Sequence, residues 1–186
     1  MTVGFAMCGS FCTYSQVFPV MEDLAEHYDV VPIFSEVSYT TDSRFGRAED
    51  HIAKASAICG REPIHTIAQA EPIGPKKLLD ALVIAPCTGN TLAKLAHSIA
   101  DGPVTMAAKS HLRNGRPILI AVSTNDALAG AAENIGMLLG RKHYYFVPFG
   151  QDDPRKKPTS MVAEFEKIPP ALKEALEGRQ IQPVLI

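Results

Sequence analysis

Between Ala85 and Thr105 the chain reads APCTGNTLAKLAHSIADGPVT, with Thr88, Gly89, Asn90 and Thr91 falling between a largely apolar run, Leu78–Ile84, and a helical pattern. Three other turns have the same make-up. Gly9 and Ser10 follow the apolar run Thr2–Met7, Ser35 and Ser38 follow Val30–Phe34, and Ser123, Thr124 and Asn125 close PILIAVSTN. Glycine, hydroxyl and amide residues at strand-to-helix turns offer neutral donors and a closely approachable backbone. With the unpaired N–H groups of a helix start, that is the chemistry of phosphate binding. The same residue types also cap helices, and Ser10 is an N-cap candidate. Each turn alone therefore has two readings, and agreement among four turns weighs towards an anion.

Neither familiar nucleotide fingerprint accompanies them. GxGxxG is absent after the first strand, which leaves a dinucleotide site unsupported, and there is no GxxxxGK[ST]. The expected ligand is a mononucleotide-like phosphate. Cys8, Cys12, Cys59 and Cys87 form no CxxC pair and no Cys/His group at zinc spacing, so reduced thiols are expected and no metal.

The elements that must hold these turns follow from periodicity. Thr2–Met7, Val30–Phe34, Leu82–Ala85, Pro117–Thr124 and His143–Phe149 read as short buried strands, with a brief extended piece at Ile64–Ile67. Helical periods lie between them: from Phe11 through Val17, Val20, Met21 and Leu24, then at Ala48–Ile58, Leu92–Ile99 and Leu128–Leu139. All-apolar strands alternating with helices predict an α/β fold, a doubly wound parallel sheet in a flavodoxin-like or Rossmann-like three-layer sandwich. In such sheets ligands bind beyond the carboxyl ends of the strands, where the polar turns lie.

At 186 residues, 46% hydrophobic and 20% charged, the chain reads as one globular domain, residues 1–186, with a charged, proline-rich surface arm at about 151–186. A short amphipathic segment, Ala171–Leu176, lies within that arm. A net charge of −2 gives no electrostatic case for nucleic acid. No apolar run approaches the roughly 20 residues of a membrane span, and MTVGFAMCGS lacks a signal-peptide pattern, so the cytoplasm is expected.

Pro86-Cys87-Thr88-Gly89-Asn90-Thr91 resembles the PASANT motif of the flavin-dependent cysteine decarboxylase superfamily, with Cys for Ala, Thr for Ser and Gly for Ala. Gly9-Ser10 matches that superfamily's first phosphate loop. Ser123–Leu128 resembles its PxMNxxM motif, keeping Asn125 but losing the Pro and both Met. TTDSRFGRAE (Thr40–Glu49), the run Ala70–Ala96, the run Ala107–Asp126 and YYFVPFGQDDPRKKPTSMVA (Tyr144–Ala163) resemble the B-subunit branch, that of dipicolinate synthase.

The resemblance implies FMN, held by Gly9, Ser10, Thr88, Gly89, Asn90 and Thr91; the pattern of polar strand ends adds Ser35, Ser38, Ser123 and Thr124 to the same cradle. Asn90 would lie beside the flavin and Asn125 would face the same pocket, both as candidate catalytic residues. It also implies a role in sporulation, a homo-oligomer, and a dehydrogenase-like A subunit that carries the NAD(P) chemistry. Turning a dihydropyridine dicarboxylate into an aromatic ring removes a hydride, which carries the two electrons, and a proton, and calls for cations on the carboxylates. Arg44 is the first candidate, because guanidinium binds carboxylate bidentately; a structural ion pair is its other reading. Lys76, Lys77, Lys109 and Arg113 are weaker candidates. The superfamily's flap Cys has no counterpart after Cys87, and none of the six histidines lies in an alignable motif. Cys87 is either a thiolate activated by the nearby helix start or a small buried filler. QDDPRKKP (Gln151–Pro158) is either a contact for the A subunit, a homo-oligomer contact or a solvated loop.

Overall fold

The computed structural model describes Met1–Ile186. In chain order it forms β1 (Thr2–Met7), α1 (Tyr14–His27), β2 (Asp29–Phe34), α2 (Glu36–Thr40), α3 (Ala48–Cys59), α4 (Ile67–Ala70), β3 (Ala81–Cys87), α5 (Gly89–Ala96) and α6 (Pro103–Leu112). There follow β4 (Ile118–Thr124), α7 (Ala132–Leu139), β5 (Tyr144–Phe146), β6 (Phe149–Gly150), β7 (Met161–Ala163) and α8 (Ile168–Leu176).

The 7-stranded sheet has a parallel body in the order β2-β1-β3-β4-β5, with Val3–Ala6 of β1 facing Ala81–Ile84 of β3. Every residue of β3 is buried, as are nearly all of β1 and β4, because helices cover both faces and leave no solvated side to alternate towards. Phe5, Phe34, Phe146, Phe149 and Phe165 are among the largest fully buried side chains of the core. The doubly wound expectation holds. From β1 the chain passes to β2 on one side and later to β3 on the other. The carboxyl ends of β1 and β3 therefore flank the crevice where doubly wound sheets bind ligands.

Some local expectations change. The last core strand, read as His143–Phe149, ends at Phe146, and Phe149–Gly150 turns into a separate antiparallel ribbon with β7. Between them lies Pro148, which has no N–H to give to a ladder. The extended piece at Ile64–Ile67 shrinks to one bridge, Ile33 to Ile64, before α4. Helix α6 was not anticipated; it starts with Pro103 at its first turn and buries Val104, Ala107 and Ala108. The surface arm is shorter than expected. Gln151–Pro158 is largely exposed, but Met161–Ala163 pairs antiparallel with Ser123–Thr124, and α8 buries Ile168, Ala171, Leu172 and Ala175. The apolar stripe of the amphipathic segment needs a core, and the sheet supplies it. Strand β4 thus carries β5 on its first half and β7 on its last.

Candidate functional site

Each polar turn has its own local chemistry. Thr88 caps α5 by accepting from the Thr91 N–H at 3.3 Å, and the two threonine hydroxyls lie 3.1 Å apart. Thr91 Oγ1 donates to Cys8 Sγ at 3.4 Å, which ties the end of β3 to the end of β1. Ser35 caps α2 through the Ser38 N–H at 3.1 Å. Ser38 is fully buried, and its hydroxyl donates to the Met7 carbonyl at 3.1 Å. That leaves the Ser35 hydroxyl, 2.8 Å from Ser38 Oγ, as the donor of this pair. Ser10 makes no capping bond, contrary to its N-cap reading. Its hydroxyl instead pairs with Ser123 Oγ at 2.7 Å.

Arg44 is presented by the loop between α2 and α3. Ser43 and Gly46 exchange backbone hydrogen bonds at 3.0 and 3.1 Å, and Asp42 Oδ1 accepts from the Ala48 N–H at 2.9 Å to start α3. Gly46 has φ +137° and sits against the His51 ring, where a Cβ would collide. The Arg44 guanidinium lies over the Phe45 ring, 4.8 Å from its centroid, and Arg44 enters none of the ion pairs. The structural ion-pair reading of Arg44 is not realised within this chain.

These turns surround a cavity of about 720 Å³. Gly9, Ser10, Arg44, Thr88, Gly89, Asn90, Ser123, Thr124 and Asn125 line it. An adjoining cavity of about 300 Å³ shares Gly9, Thr88 and Asn90 and adds Ser35, Thr91 and the start of α6. Of the expected cofactor-holding and catalytic residues, only Ser38 reaches neither cavity; it braces α2 against β1 from beneath. The weaker cation candidates Lys76, Lys77, Lys109 and Arg113 line neither cavity, which leaves Arg44 as the arginine of the site.

Sequence reading missed Asp126, Phe45, and Asp152, Lys157, Ser160 and Val162 from the C-terminal segment, all of which line the larger cavity. Lys157 Nζ donates to Asp152 at 2.9 Å. Burial works to raise the Asp152 carboxyl, but hydrogen bonds from Ser160 and Lys157 outweigh it and hold the group below the usual carboxylate range. The signal for these residues was the polar QDDPRKKPTS run itself, which reads equally as a solvated loop.

No histidine lines either cavity. Burial pushes the Cys8 thiol up to about 11, against smaller lowering by hydrogen bonds at Thr91 and Thr88, and burial also raises Cys87 well above its ordinary value. Both thiols are protonated near neutrality, and Cys87 behaves as a buried filler. No group of three or more His, Cys, Asp and Glu is placed to hold a metal ion, and no helix is long and apolar enough to cross a membrane.

Residues 1–137 match the Flavoprotein family. The chain is 45% identical to the B subunit of dipicolinate synthase of Bacillus subtilis (strain 168) over 185 residues, 99% of this chain and 92% of that protein. The crystal structure of the corresponding B subunit from Bacillus halodurans C superposes with a TM-score of 0.91 at 46% identity, covering 100% of this chain and 95% of the other. SpaF, an FMN-dependent cysteine decarboxylase, shares the fold at a TM-score of 0.66 and 21% identity over 95% of each chain. A parallel β2-β1-β3-β4-β5 sheet with polar turns at its switch point, joined to these similarities over nearly the whole length, places the chain in the Flavoprotein family, among the dipicolinate synthase B subunits.

Proposed function

We propose that this chain is the flavin-binding subunit of a dipicolinate synthase, acting with a dehydrogenase-like A subunit to form pyridine-2,6-dicarboxylate from dihydrodipicolinate in the cytoplasm during sporulation. The observation that carries this reading is the switch-point cavity, in which neutral donors from the ends of β1, β3 and β4 converge below the unpaired Arg44. Its volume falls in the range of small-molecule sites.

The donor set fits FMN. Gly9, Ser10, Thr88, Gly89, Asn90, Ser123 and Thr124 would hold it in the larger cavity, with Ser35 and Thr91 reachable through the adjoining one. When bound, the flavin supplies a two-electron acceptor. Arg44 would hold a substrate carboxylate, and Asn90 and Asn125 would offer their amides to the same pocket. With no dinucleotide fingerprint in this chain, NAD(P) belongs to the A subunit. A homo-oligomer belongs to the same reading, as the resemblance implies.

A stand-alone decarboxylase or prenyltransferase is less well supported, because the cavity holds no histidine and two of the nearby thiols are buried and protonated. FMN titration by absorbance and fluorescence, followed by turnover of dihydrodipicolinate with and without the A subunit, tests the proposal. Stoichiometric flavin binding and turnover only with both subunits are expected. Failure to bind flavin, together with full dipicolinate synthesis by the A subunit alone, would overturn it.

A further inference from the structure

Four charged side chains line the large cavity: Arg44, Asp126, Asp152 and Lys157. Asp152 and Lys157 neutralise each other at 2.9 Å. That leaves one cation and one carboxylate without a charged partner, Arg44 and Asp126. The Asp126 carboxylate is held in place by Thr124, whose hydroxyl donates to Oδ1 at 2.5 Å. It is also given room by Gly89, where a Cβ would come within 2.6 Å of Asp126 Oδ1. Both supporting residues are departures from the motifs the chain resembles. Gly89 stands at an Ala of PASANT, and Thr124 stands at the Met just before the Asn of PxMNxxM. A methionine could not donate that hydrogen bond, and an alanine would press on the carboxylate. The two departures meet on one group.

We infer that Asp126 is the proton acceptor for ring aromatisation, an inference that rests on the dipicolinate reading above. In the step, one C–H bond of the dihydropyridine dicarboxylate gives up its hydrogen with both electrons to the two-electron acceptor, a flavin or nicotinamide. A neighbouring ring C–H loses its proton to the Asp126 carboxylate, and that bond's electron pair becomes the new ring double bond. One hydride and one proton leave, the acceptor is reduced by two electrons, and Arg44 holds a carboxylate throughout.

Asp126→Asn keeps the shape and the Oδ1 acceptor while removing basicity and charge, and Thr124→Ala keeps the base but frees it. With the complete two-subunit enzyme, Asp126→Asn should lower kcat roughly 10²- to 10⁴-fold with KM little changed, and Thr124→Ala should have a smaller effect in the same direction. A second readout needs no turnover. Pyridine-2,6-dicarboxylate should bind the isolated Asp126→Asn chain several-fold more tightly by calorimetry, because a carboxylate facing the dianion has been removed. A merely structural role predicts weaker binding and a lower Tm instead. Unchanged kcat, or binding lost together with thermal stability, overturns the assignment while leaving the dipicolinate reading standing. Absence of dicarboxylate binding by the wild-type chain as well overturns both.

Discussion

Ser10 and Ser123 share a hydroxyl–hydroxyl hydrogen bond of 2.7 Å although 113 residues separate them. Their strands are not neighbours; β3 lies between β1 and β4. The bond passes above the end of β3, where the pairing with β4 shifts register between Ile84 and Cys87. It therefore ties two turns of the cavity floor that the sheet does not join.

Removing that tie should be felt by the ligand more than by the fold. Ser123→Ala leaves the Ser10 hydroxyl without its partner and should weaken FMN about five-fold, from roughly 1 kcal/mol for one hydrogen bond. Ser10→Asp puts a fixed negative charge in the cradle and should abolish measurable FMN binding. Fluorescence titration separates the cases, and a Ser10→Asp chain that binds like wild type would remove the cradle from the account.

Asn90 is exposed and lines both cavities. Asn90→Ala should shift stability by no more than about 0.5 kcal/mol, as exposed substitutions do, while turnover by the two-subunit enzyme falls at least roughly ten-fold, in keeping with a lost positioning or polar contact. Thermal unfolding and activity on the same preparation decide it. A lowered Tm with unchanged specific activity would reduce Asn90 to a structural part.

Among the four thiols, only Cys12 is exposed. Iodoacetamide at neutral pH should label Cys12 first and reach Cys8 and Cys87 only on unfolding, because burial keeps both protonated. Cys87→Ala should keep turnover within about two-fold, since a catalytic nucleophile would cost orders of magnitude more. Mass spectrometry of labelled peptides in native and denatured chains provides the check.

His111 makes stability depend on pH. Its Nε2 lies 3.0 Å from the Pro117 carbonyl and must carry the proton, whereas Nδ1 is buried without a partner. Burial lowers the folded value to about 4, outweighing the raising effect of the Pro117 hydrogen bond. Unfolded His titrates near 6.5, so between those values the unfolded chain binds the extra proton. Stability should be full above about pH 6.5 and fall by up to about 3 kcal/mol as pH drops towards 4. His51, also lowered by burial, acts in the same direction. His111→Gln should flatten the slope of Tm between pH 7 and 4.5, and an unaltered slope would rule His111 out as its source.

Periodicity revealed the parallel body of the sheet because its strands are short, apolar and buried on both faces, as the strand pattern requires. Helix α6 stayed hidden because it buries small residues, Ala107 and Ala108, and the polar Ser110 and His111, which leaves no apolar stripe to read. The cavity residues contributed by strand-to-helix turns were legible, since their types announce a neutral cradle. Asp126 was not. Its environment exists only once Thr124 and Gly89, 35 positions apart in sequence, are brought onto it by the pairing of β3 with β4. The far wall was illegible for a related reason, because QDDPRKKP has the composition of a solvated loop until β7 anchors it to Ser123 and Thr124.

That anchoring sets an order of assembly during synthesis. Chains fold from the N-terminus as they leave the ribosome, and the strands β1 to β5 with their helices are all encoded before residue 147. Asp152, Lys157, Ser160 and Val162 emerge afterwards, and only then can β7 close over the end of β4. A chain ending at Gly150 would include the whole parallel body but leave the trough open on that side, so the cavity is completed only by the last fifth of the sequence.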